Sequence, residues 1–343
     1  MPTIAVDAMG GDLAPDEIVR GVARVSLESD IACVLIGDDR RIREVLARHP
    51  HEPARIAVVH AAATIGMAED PKCAIRDKPD SSLALGAALV AAGGADALVS
   101  AGNTGASVLA CAKTFRAIPG VRRTALASVF PRKVRYDGQD PLGLLLDVGA
   151  TIHCESAELV QFGIMGSAYA KRISKVPCPR VGLLNMGSEP MKGGAALSDA
   201  FRALGAVADL NFVGNIEGND LATGKADVIV CEGLLGNVAL KLIEGVAEVV
   251  VDMASFAARQ SWRWRLGLAL LSSGIRQVRD LTDYSNYGGS PILGFDKLFI
   301  KAHGRSNAKA IANAVKVAAK AVRDDVAGEI ALMVAKMPAR SES

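Results

Sequence analysis

The sequence predicts an α/β fold on a mostly parallel sheet, with helices covering both faces. Short apolar runs bounded by Gly, Asp or Asn alternate with stretches of helical period. Aromatic residues are only 4% of the chain, so the core must rest on Ala, Val, Leu and Ile, as expected for helices packed on a parallel sheet. Five apparent strand ends finish in loops rich in Gly, Asn and acid: Val6-Asp-Ala-Met-Gly-Gly-Asp12, Val99-Ser-Ala-Gly-Asn-Thr-Gly105, Leu184-Asn-Met-Gly-Ser-Glu189, Val213-Gly-Asn-Ile-Glu-Gly-Asn219 and Val230-Cys-Glu-Gly-Leu-Leu-Gly-Asn237. In an open α/β sheet such ends collect along one edge, where glycines admit a ligand to the backbone and helix N-termini favour anions. No Gly-x-x-x-x-Gly-Lys-Ser/Thr loop and no convincing dinucleotide fingerprint occurs, so the crevice is expected to take an anion rather than a nucleotide.

Strands are expected at Ile4 to Val6, Ile31 to Ile36, Ile56 to Val59, Ala97 to Val99, Leu142 to Leu146, Val181 to Leu184, Leu210 to Val213 and Val228 to Val230. Between several of them lie helical patterns: Pro15 to Glu28, Arg40 to Arg48, Ser82 to Ala92, Thr104 to Phe115 and Glu155 to Ile173. Pro15 suits a first helical turn and Thr104 can cap the helix after Asn103, so two polar loops lead into helix N-termini. Ala61 to Ser82 reads as a functional loop or a charged surface connection. The final third adds a long helix from about Asn237 to Gln260, a second glycine-rich loop at Gly288 to Gly294 and a terminal helix from about Asn307 to Met337. No repeat or Pro/Ser-rich linker divides the chain, so residues 1–343 are expected to form one compound α/β catalytic domain.

With 39 Lys plus Arg against 37 Asp plus Glu the net charge is +2, which gives no footing for nucleic acid recruited by bulk charge. The six cysteines lie far apart without a Cys-x-x-Cys pair, and nothing before the first strand reads as a signal peptide, which fits a reducing cytoplasm. Cys33, Cys111 and Cys231 have apolar neighbours and are expected in the core. The five histidines show no zinc spacing with them, and no metal is expected.

Residues 255–285 stand apart as an amphipathic helical region. From Ser261 to Asp283, Trp264, Leu268, Leu271, Ile275, Val278 and Thr282 follow spacings of four and three, with arginines between them. Both tryptophans, Trp262 and Trp264, sit at its start beside arginines. A helix lying on an anionic membrane and a dimer-packing helix carry the same pattern, and Trp262, Trp264, Leu268, Leu271 and Ile275 are the contact residues in either case.

In chain order, Ile4-Ala-Val-Asp-Ala-Met-Gly-Gly-Asp12, Val99-Ser-Ala-Gly-Asn-Thr-Gly-Ala106, Leu144-Leu-Leu-Asp-Val-Gly149, Gln161-Phe-Gly-Ile-Met-Gly166, Val230-Cys-Glu-Gly-Leu-Leu-Gly-Asn-Val238 and Lys301-Ala-His-Gly304 resemble the bacterial acyl-ACP:phosphate acyltransferase family, also called PlsX, over nearly the whole chain. The resemblance implies a Rossmann-like α/β/α sandwich related to the isocitrate/isopropylmalate dehydrogenase-like architecture. It implies transfer of a fatty acyl group from acyl-acyl-carrier-protein to inorganic phosphate, giving acyl phosphate for phospholipid biosynthesis without a cofactor. It also implies a homodimer, peripheral membrane contact from the cytoplasm, and a membrane glycerol-3-phosphate acyltransferase that consumes the product. Three positions depart from the family pattern: Leu13 stands for a usual histidine, Thr151 for a usual asparagine and Glu232 for a common aspartate.

Acyl transfer from a thioester to phosphate needs an oriented nucleophile and a stabilised tetrahedral oxyanion, while the thiolate leaves with little help. Ser100, Asn103 and Thr104, flanked by Gly102 and Gly105, are expected to bind phosphate, although a plain helix-capping turn would use the same residues. Lys192, before Gly193 and Gly194, is the expected cation, against an ordinary solvated lysine. Asn237 can donate to the oxyanion or cap its helix. Asp7, Gly10, Gly11 and Asp12 form the first loop, whose carboxylates can orient the lysine; Asn185 adds a hydrogen-bond donor. His303 is a proton carrier or a structural histidine. Cys231 could carry an acyl intermediate but has no adjacent histidine, so direct attack by phosphate is expected. The acyl chain needs an apolar groove, for which the late helices are candidates. Arg132-Lys133-Val-Arg135 is expected to attract the acidic carrier protein. Two other readings remain: a dinucleotide-dependent decarboxylating hydroxy-acid dehydrogenase, and a noncatalytic acyl-carrier or membrane scaffold.

Overall fold

The computed structural model describes residues 1–136, 139–271 and 284–337. Within them one eleven-stranded sheet is built from β1 (Thr3–Asp7), β2 (Ala32–Gly37), β3 (Ile56–His60), β4 (Ala97–Ser100), β5 (Ala125–Pro131), β6 (Leu142–Leu146), β7 (Arg180–Leu184), β8 (Asn211–Ile216), β9 (Val228–Val230), β10 (Ser290–Leu293) and β11 (Leu298–Lys301). Their order across the sheet is β3-β2-β1-β4-β11-β10-β5-β6-β9-β7-β8. Every strand expected from an apolar run forms. β5, β10 and β11 were not expected, and β10 occupies what reads as a glycine-rich loop: the positive φ of Gly288 and Gly289 turns the chain, and Pro291-Ile-Leu293 then pairs with β11 and β5.

These unexpected strands overturn the single crevice edge. β1, β2, β3, β4 and β11 run parallel; β10 is antiparallel to β11 and to β5, and β5 is antiparallel to β6. β6, β9, β7 and β8 form a second parallel block running the opposite way. The loops after β1 and β4 therefore leave one edge of the sheet, and those after β7, β8 and β9 leave the other.

Helices cover both faces. On one side α1 (Asp16–Glu28), α2 (Asp39–Leu46), α6 (Ser156–Ile173), α7 (Ala195–Gly205), α10 (Ala308–Arg323) and α11 (Val326–Ala335) share a core with residues such as Val22, Phe162, Leu204 and Val315. On the other, α3 (Pro71–Asp77), α4 (Ser82–Ala91), α5 (Thr104–Thr114) and the start of α8 (Gly233–Gln260) pack through Ile75, Leu83, Cys111 and Leu240. α3 forms inside the expected loop because Asp70 accepts from the Cys73 amide and Pro71 occupies the first turn. The single terminal helix is two, since Asp325 is left-handed (φ 48°) and caps α11 through the Gly328 amide.

α8 begins at Gly233, four residues before the expected start, and its 28 residues run about 42 Å. One side of it faces away from the sheet, with Leu235, Val238, Leu242, Val246, Val249, Met253 and Phe256 exposed along it. α9 (Trp262–Leu270) follows after Ser261, with Trp264, Leu266, Leu270 and Leu271 exposed. Of the expected amphipathic stripe, Trp264 and Leu271 are thus open to solvent and Leu268 is half-buried. Ile275, Val278 and Thr282 lie outside the described residues. No helix among the described residues is long and apolar enough to cross a membrane.

Candidate active site

A cavity of about 490 Å³ opens between the sheet and α8, over the strands where the two blocks meet. Its polar lining includes Asp12, Thr104, Ser128, Asn237, Ser290 and Lys301; its apolar lining includes Leu126, Phe130, Val148, Leu240, Ile243 and Ala247. The cavity joins both sheet edges because α8 starts at the end of β9 and then crosses toward the other block, where Lys241 and Glu244 reach the cavity beside His303.

The Lys301 side chain is the buried cation of this floor. The residue is 8% exposed, and its Nζ donates to the Ala302 carbonyl at 2.5 Å. Burial brings its pKa down to about 8, against the pull of Asp7 and Asp12 in the other direction. Register explains the grouping: Lys301 pairs with Ser100 of β4 and with Ser290 of β10. Alternation along β5 puts Leu126, Ser128 and Phe130 on a common face, and Leu126 and Phe130 belong to the core beneath α8.

Asp7 closes the row. Its carboxylate accepts from the Ser100 hydroxyl at 2.6 Å and from the Met9 amide at 3.2 Å. Burial raises the Asp7 pKa, and the hydroxyls of Ser100 and Ser82, the Met9 amide and Lys301 oppose the rise. A side chain at Gly10 would collide with the Asp7 carboxylate and approach the Gly102 amide, so glycine is what lets the first loop lie against the second. Gly11 takes φ +105°, and the Asp12 amide donates to Gly304 at 2.8 Å, joining the β1 and β11 loops.

Of the expected phosphate ligands, only Thr104 offers an uncommitted side chain to the cavity. The Ser100 hydroxyl, besides donating to Asp7, accepts from the Gly102 amide at 3.0 Å. Asn103 caps α5 by accepting from the Ala106 amide, and its Nδ2 donates to the carbonyls of Met67 and Glu69. It therefore holds down the loop of residues 61–82, whose Met67 also lines the cavity.

At the opposite edge, buried Asp147 organises the N-terminus of α8. It accepts from the amides of Leu126, Gly149, Ala150 and Thr151 and from the Thr151 hydroxyl. The Thr151 hydroxyl accepts in turn from the Gly233 amide at 2.9 Å, so the threonine that departs from the family pattern ties β6 to α8. Glu232 precedes α8 and meets His153 at 3.0 Å. Gly236 packs where a Cβ would strike the Asp147 carbonyl. Asn237 stands one turn into α8, so it is not an N-cap, and its side chain lines the cavity.

Lys192 and Asn185 come together with each other, through an Asn185 Nδ2 donation to the Lys192 carbonyl at 2.9 Å, but not with the cavity. Lys192 is exposed on the loop after β7. His303 lines the mouth of the cavity; partial burial, then Lys241, Lys301 and Arg305, lower its pKa against Glu244. Cys231 is buried, donates to the Asp147 carbonyl at 3.2 Å and has its thiol pKa pushed well up by burial, which disfavours a thiolate nucleophile. Arg132 is also buried, paired with Asp227 at 2.7 Å, so of the expected carrier-binding cluster Lys133 and Arg135 are exposed and Arg132 is not.

Sequence reasoning quoted Lys301 and Ser290 within motifs without giving either a role, and passed over Ser128, although all three line the cavity. The available signal was Leu298-Phe-Ile-Lys301, an apolar run ending in a lysine just before a glycine-containing loop.

Comparisons with known proteins agree with this architecture. The family described as "Fatty acid synthesis protein" matches residues 2–329. A phosphate acyltransferase of Desulforudis audaxviator is 42% identical over 96% of this chain and 95% of its own. One of Desulfitobacterium hafniense is 41% identical over 100% of both chains. Among solved structures, a phosphotransacetylase from Streptococcus pyogenes superposes with a TM-score of 0.64 at 17% identity, covering 94% of each chain. A 4-hydroxythreonine-4-phosphate dehydrogenase from Klebsiella pneumoniae gives 0.52 at 14% identity, covering 94% of this chain and 100% of its own. These two share the fold, which is the dehydrogenase-like α/β architecture. Matched almost from end to end by one family and by its named members, the chain belongs to the fatty acid synthesis protein family, that of the phosphate acyltransferases.

Proposed function

We propose that this enzyme transfers a fatty acyl group from an acyl-acyl-carrier-protein to inorganic phosphate, giving acyl phosphate for phospholipid synthesis. The observation that carries the reading is one cavity holding a buried lysine at a row of small polar residues and an apolar wall on α8. Lys301 supplies the positive charge that a phosphate dianion requires, and low polarity around it strengthens the attraction. Thr104 and Asn237 add neutral donors. Leu240, Ile243 and Ala247 offer the acyl chain an apolar surface opposite Leu126 and Phe130.

In this scheme a phosphate oxygen attacks the thioester carbonyl, forming the C–O bond. The carbonyl oxygen becomes the tetrahedral oxyanion, which Asn237 is poised to meet. Collapse breaks the C–S bond, and the electron pair leaves on sulfur. The proton carried by monohydrogen phosphate passes to the thiolate, so acyl phosphate and free carrier thiol are the products. No covalent enzyme intermediate is needed. The charges of Asp7 and Asp12 favour the charged form of Lys301, a different lysine from the Lys192 they were expected to orient.

The exposed apolar side of α8 supports a homodimer. Leu235, Val238, Leu242, Val246, Val249, Met253 and Phe256 recur at intervals of three and four, the spacing of a helix seam. α9, with Trp264 and Leu271 exposed beside arginines, is the proposed peripheral membrane contact, close to a membrane acyltransferase that would take the product. Exposed Lys133 and Arg135 are the proposed attraction for the acidic carrier. The test is release of carrier thiol from long-chain acyl-carrier protein with and without inorganic phosphate, with the acyl product identified by mass spectrometry. Phosphate-dependent thiol and acyl phosphate are expected; release independent of phosphate would reject the reading.

A further inference from the structure

We propose that the hydroxyls of Ser290 and Ser128, which continue the row from Lys301 across β10 and β5 on the cavity floor, are the neutral arms that hold the phosphate. This rests on the reading above and assigns the phosphate subsite to strands β5 and β10. Ser290 is the registered partner of Lys301, and Ile292, two residues on, pairs with Leu126. Because side chains alternate along a strand, Ser290 and Ser128 project to the face that carries Ile292 and Leu126. Both line the cavity with Lys301.

What distinguishes these two serines is their hydrogen bonding. Ser100, in the same row, spends its hydroxyl between Asp7 and the Gly102 amide. Neither Ser128 nor Ser290 makes a side-chain hydrogen bond to another described residue. Ser128 is nonetheless only 9% exposed. Both hydroxyls face the cavity without a partner among the described residues, so in one row with the Lys301 ammonium group they are suited to a ligand that accepts hydrogen bonds. The cavity also excludes a simpler arrangement. Lys301 already has two carboxylates acting on it, so further acid would repel a dianion, whereas hydroxyls add donors without adding negative charge.

The full-length Ser128→Ala, Ser290→Ala and double variants test this, with Ser128→Thr and Ser290→Thr as variants that keep a hydroxyl on a strand. Binding of inorganic phosphate is measured by calorimetry, and thiol release is followed against phosphate and acyl-carrier concentration. Each alanine should weaken phosphate binding and raise the phosphate KM about tenfold, the effect of losing a hydrogen bond to a charged group. The KM for acyl-carrier should stay within about twofold, and the threonine variants should recover most of the loss. Unchanged phosphate affinity in a folded double variant overturns the assignment, as does a wild-type protein that binds no phosphate. Wild-type protein that binds phosphate, loses this in the double variant, yet releases no thiol would instead keep the subsite and reject the acyl-transfer reading.

Discussion

The Ser100 hydroxyl donates to the Asp7 carboxylate at 2.6 Å while accepting from the Gly102 amide, linking the ends of β1 and β4 through one oxygen. Ser100→Ala removes a donor from a buried carboxylate, so it should cost about 1–3 kcal/mol of stability in chemical denaturation. The phosphate KM should move less than in Ser128→Ala. A larger rise in phosphate KM for Ser100→Ala than for Ser128→Ala would return Ser100 to the phosphate site.

Lys301→Met should lower kcat/KM by about two to three orders of magnitude, in line with loss of one principal electrostatic stabiliser. Because burial brings the Lys301 pKa down to about 8, the charged form predominates below that value and is progressively lost above it. Phosphate KM in the wild type should therefore climb as pH rises through about 8, and this limb should be absent from Lys301→Met. Retained turnover in Lys301→Met together with its loss in Lys192→Met would move the cation to the β7 loop.

Ala247 is the last of the α8 residues that line the cavity, ten positions beyond Asn237 and so about 15 Å along the helix. Ala247→Trp should shorten the preferred acyl chain. The ratio of kcat/KM for a long-chain to a short-chain acyl-carrier substrate is expected to fall by about tenfold or more, as filled apolar pockets do. An unchanged ratio would show that the chain does not run along this wall.

Asp227 receives Arg132 at 2.7 Å and Arg180 at 3.0 Å, joining β5, β7 and the start of β9. Burial works against the charged carboxylate, but hydrogen bonds from Arg180 and Arg132 outweigh it and leave the pKa below the usual value. Asp227→Asn strands the buried Arg132 and should cost about 3–5 kcal/mol. With a depressed folded value, the wild-type contribution is present above the unfolded carboxylate range and lost as pH falls through the folded value. Thermal melts across acid pH should show that loss in the wild type and a flatter profile in the variant.

The α8 seam should be essential to assembly. Val246 and Val249 are exposed near its middle, and Val246→Asp with Val249→Asp would bury charges in any helix pairing there. Analytical ultracentrifugation is expected to show a dimer for the wild type and a monomer for the double variant. Identical sedimentation of the two would remove this seam from the interface.

Much of the fold was legible because buried parallel strands are apolar runs bounded by turn residues, as Val181 to Leu184 and Val228 to Val230 are. β5, β10 and β11 were not legible, since Ala125 to Pro131 is interrupted by Ser128 and lacks flanking Gly, Asp or Asn, Gly288, Gly289 and Pro291 resemble a loop, and Leu298 to Lys301 ends in a charge. That local miss concealed the global one: without the antiparallel steps, both strand blocks seem to deliver their loops to one edge. The site was legible in part. Asp12, Thr104, Asn237 and His303 do reach the cavity. Ser100 and Asn103 have the residue types of an anion site, but which of their atoms are already occupied depends on Asp7, Met67 and Glu69, contacts no spacing reveals. Lys301 is distinguished from Lys192 by burial and by its place on the cavity floor, both properties of the folded sheet.

β10 and β11 come from the last sixth of the chain yet lie between β4 and β5, at the middle of the sheet. A chain emerging from the ribosome can pair β1 to β4, and β5 to β9, but both inner edges stay unpaired until residue 301 has appeared. The floor containing Lys301 is thus assembled by the final insertion, which also covers two aggregation-prone edges. Chains that end before β11 consequently possess neither a closed sheet nor the cavity floor, and they keep the inner edges of β4 and β5 open.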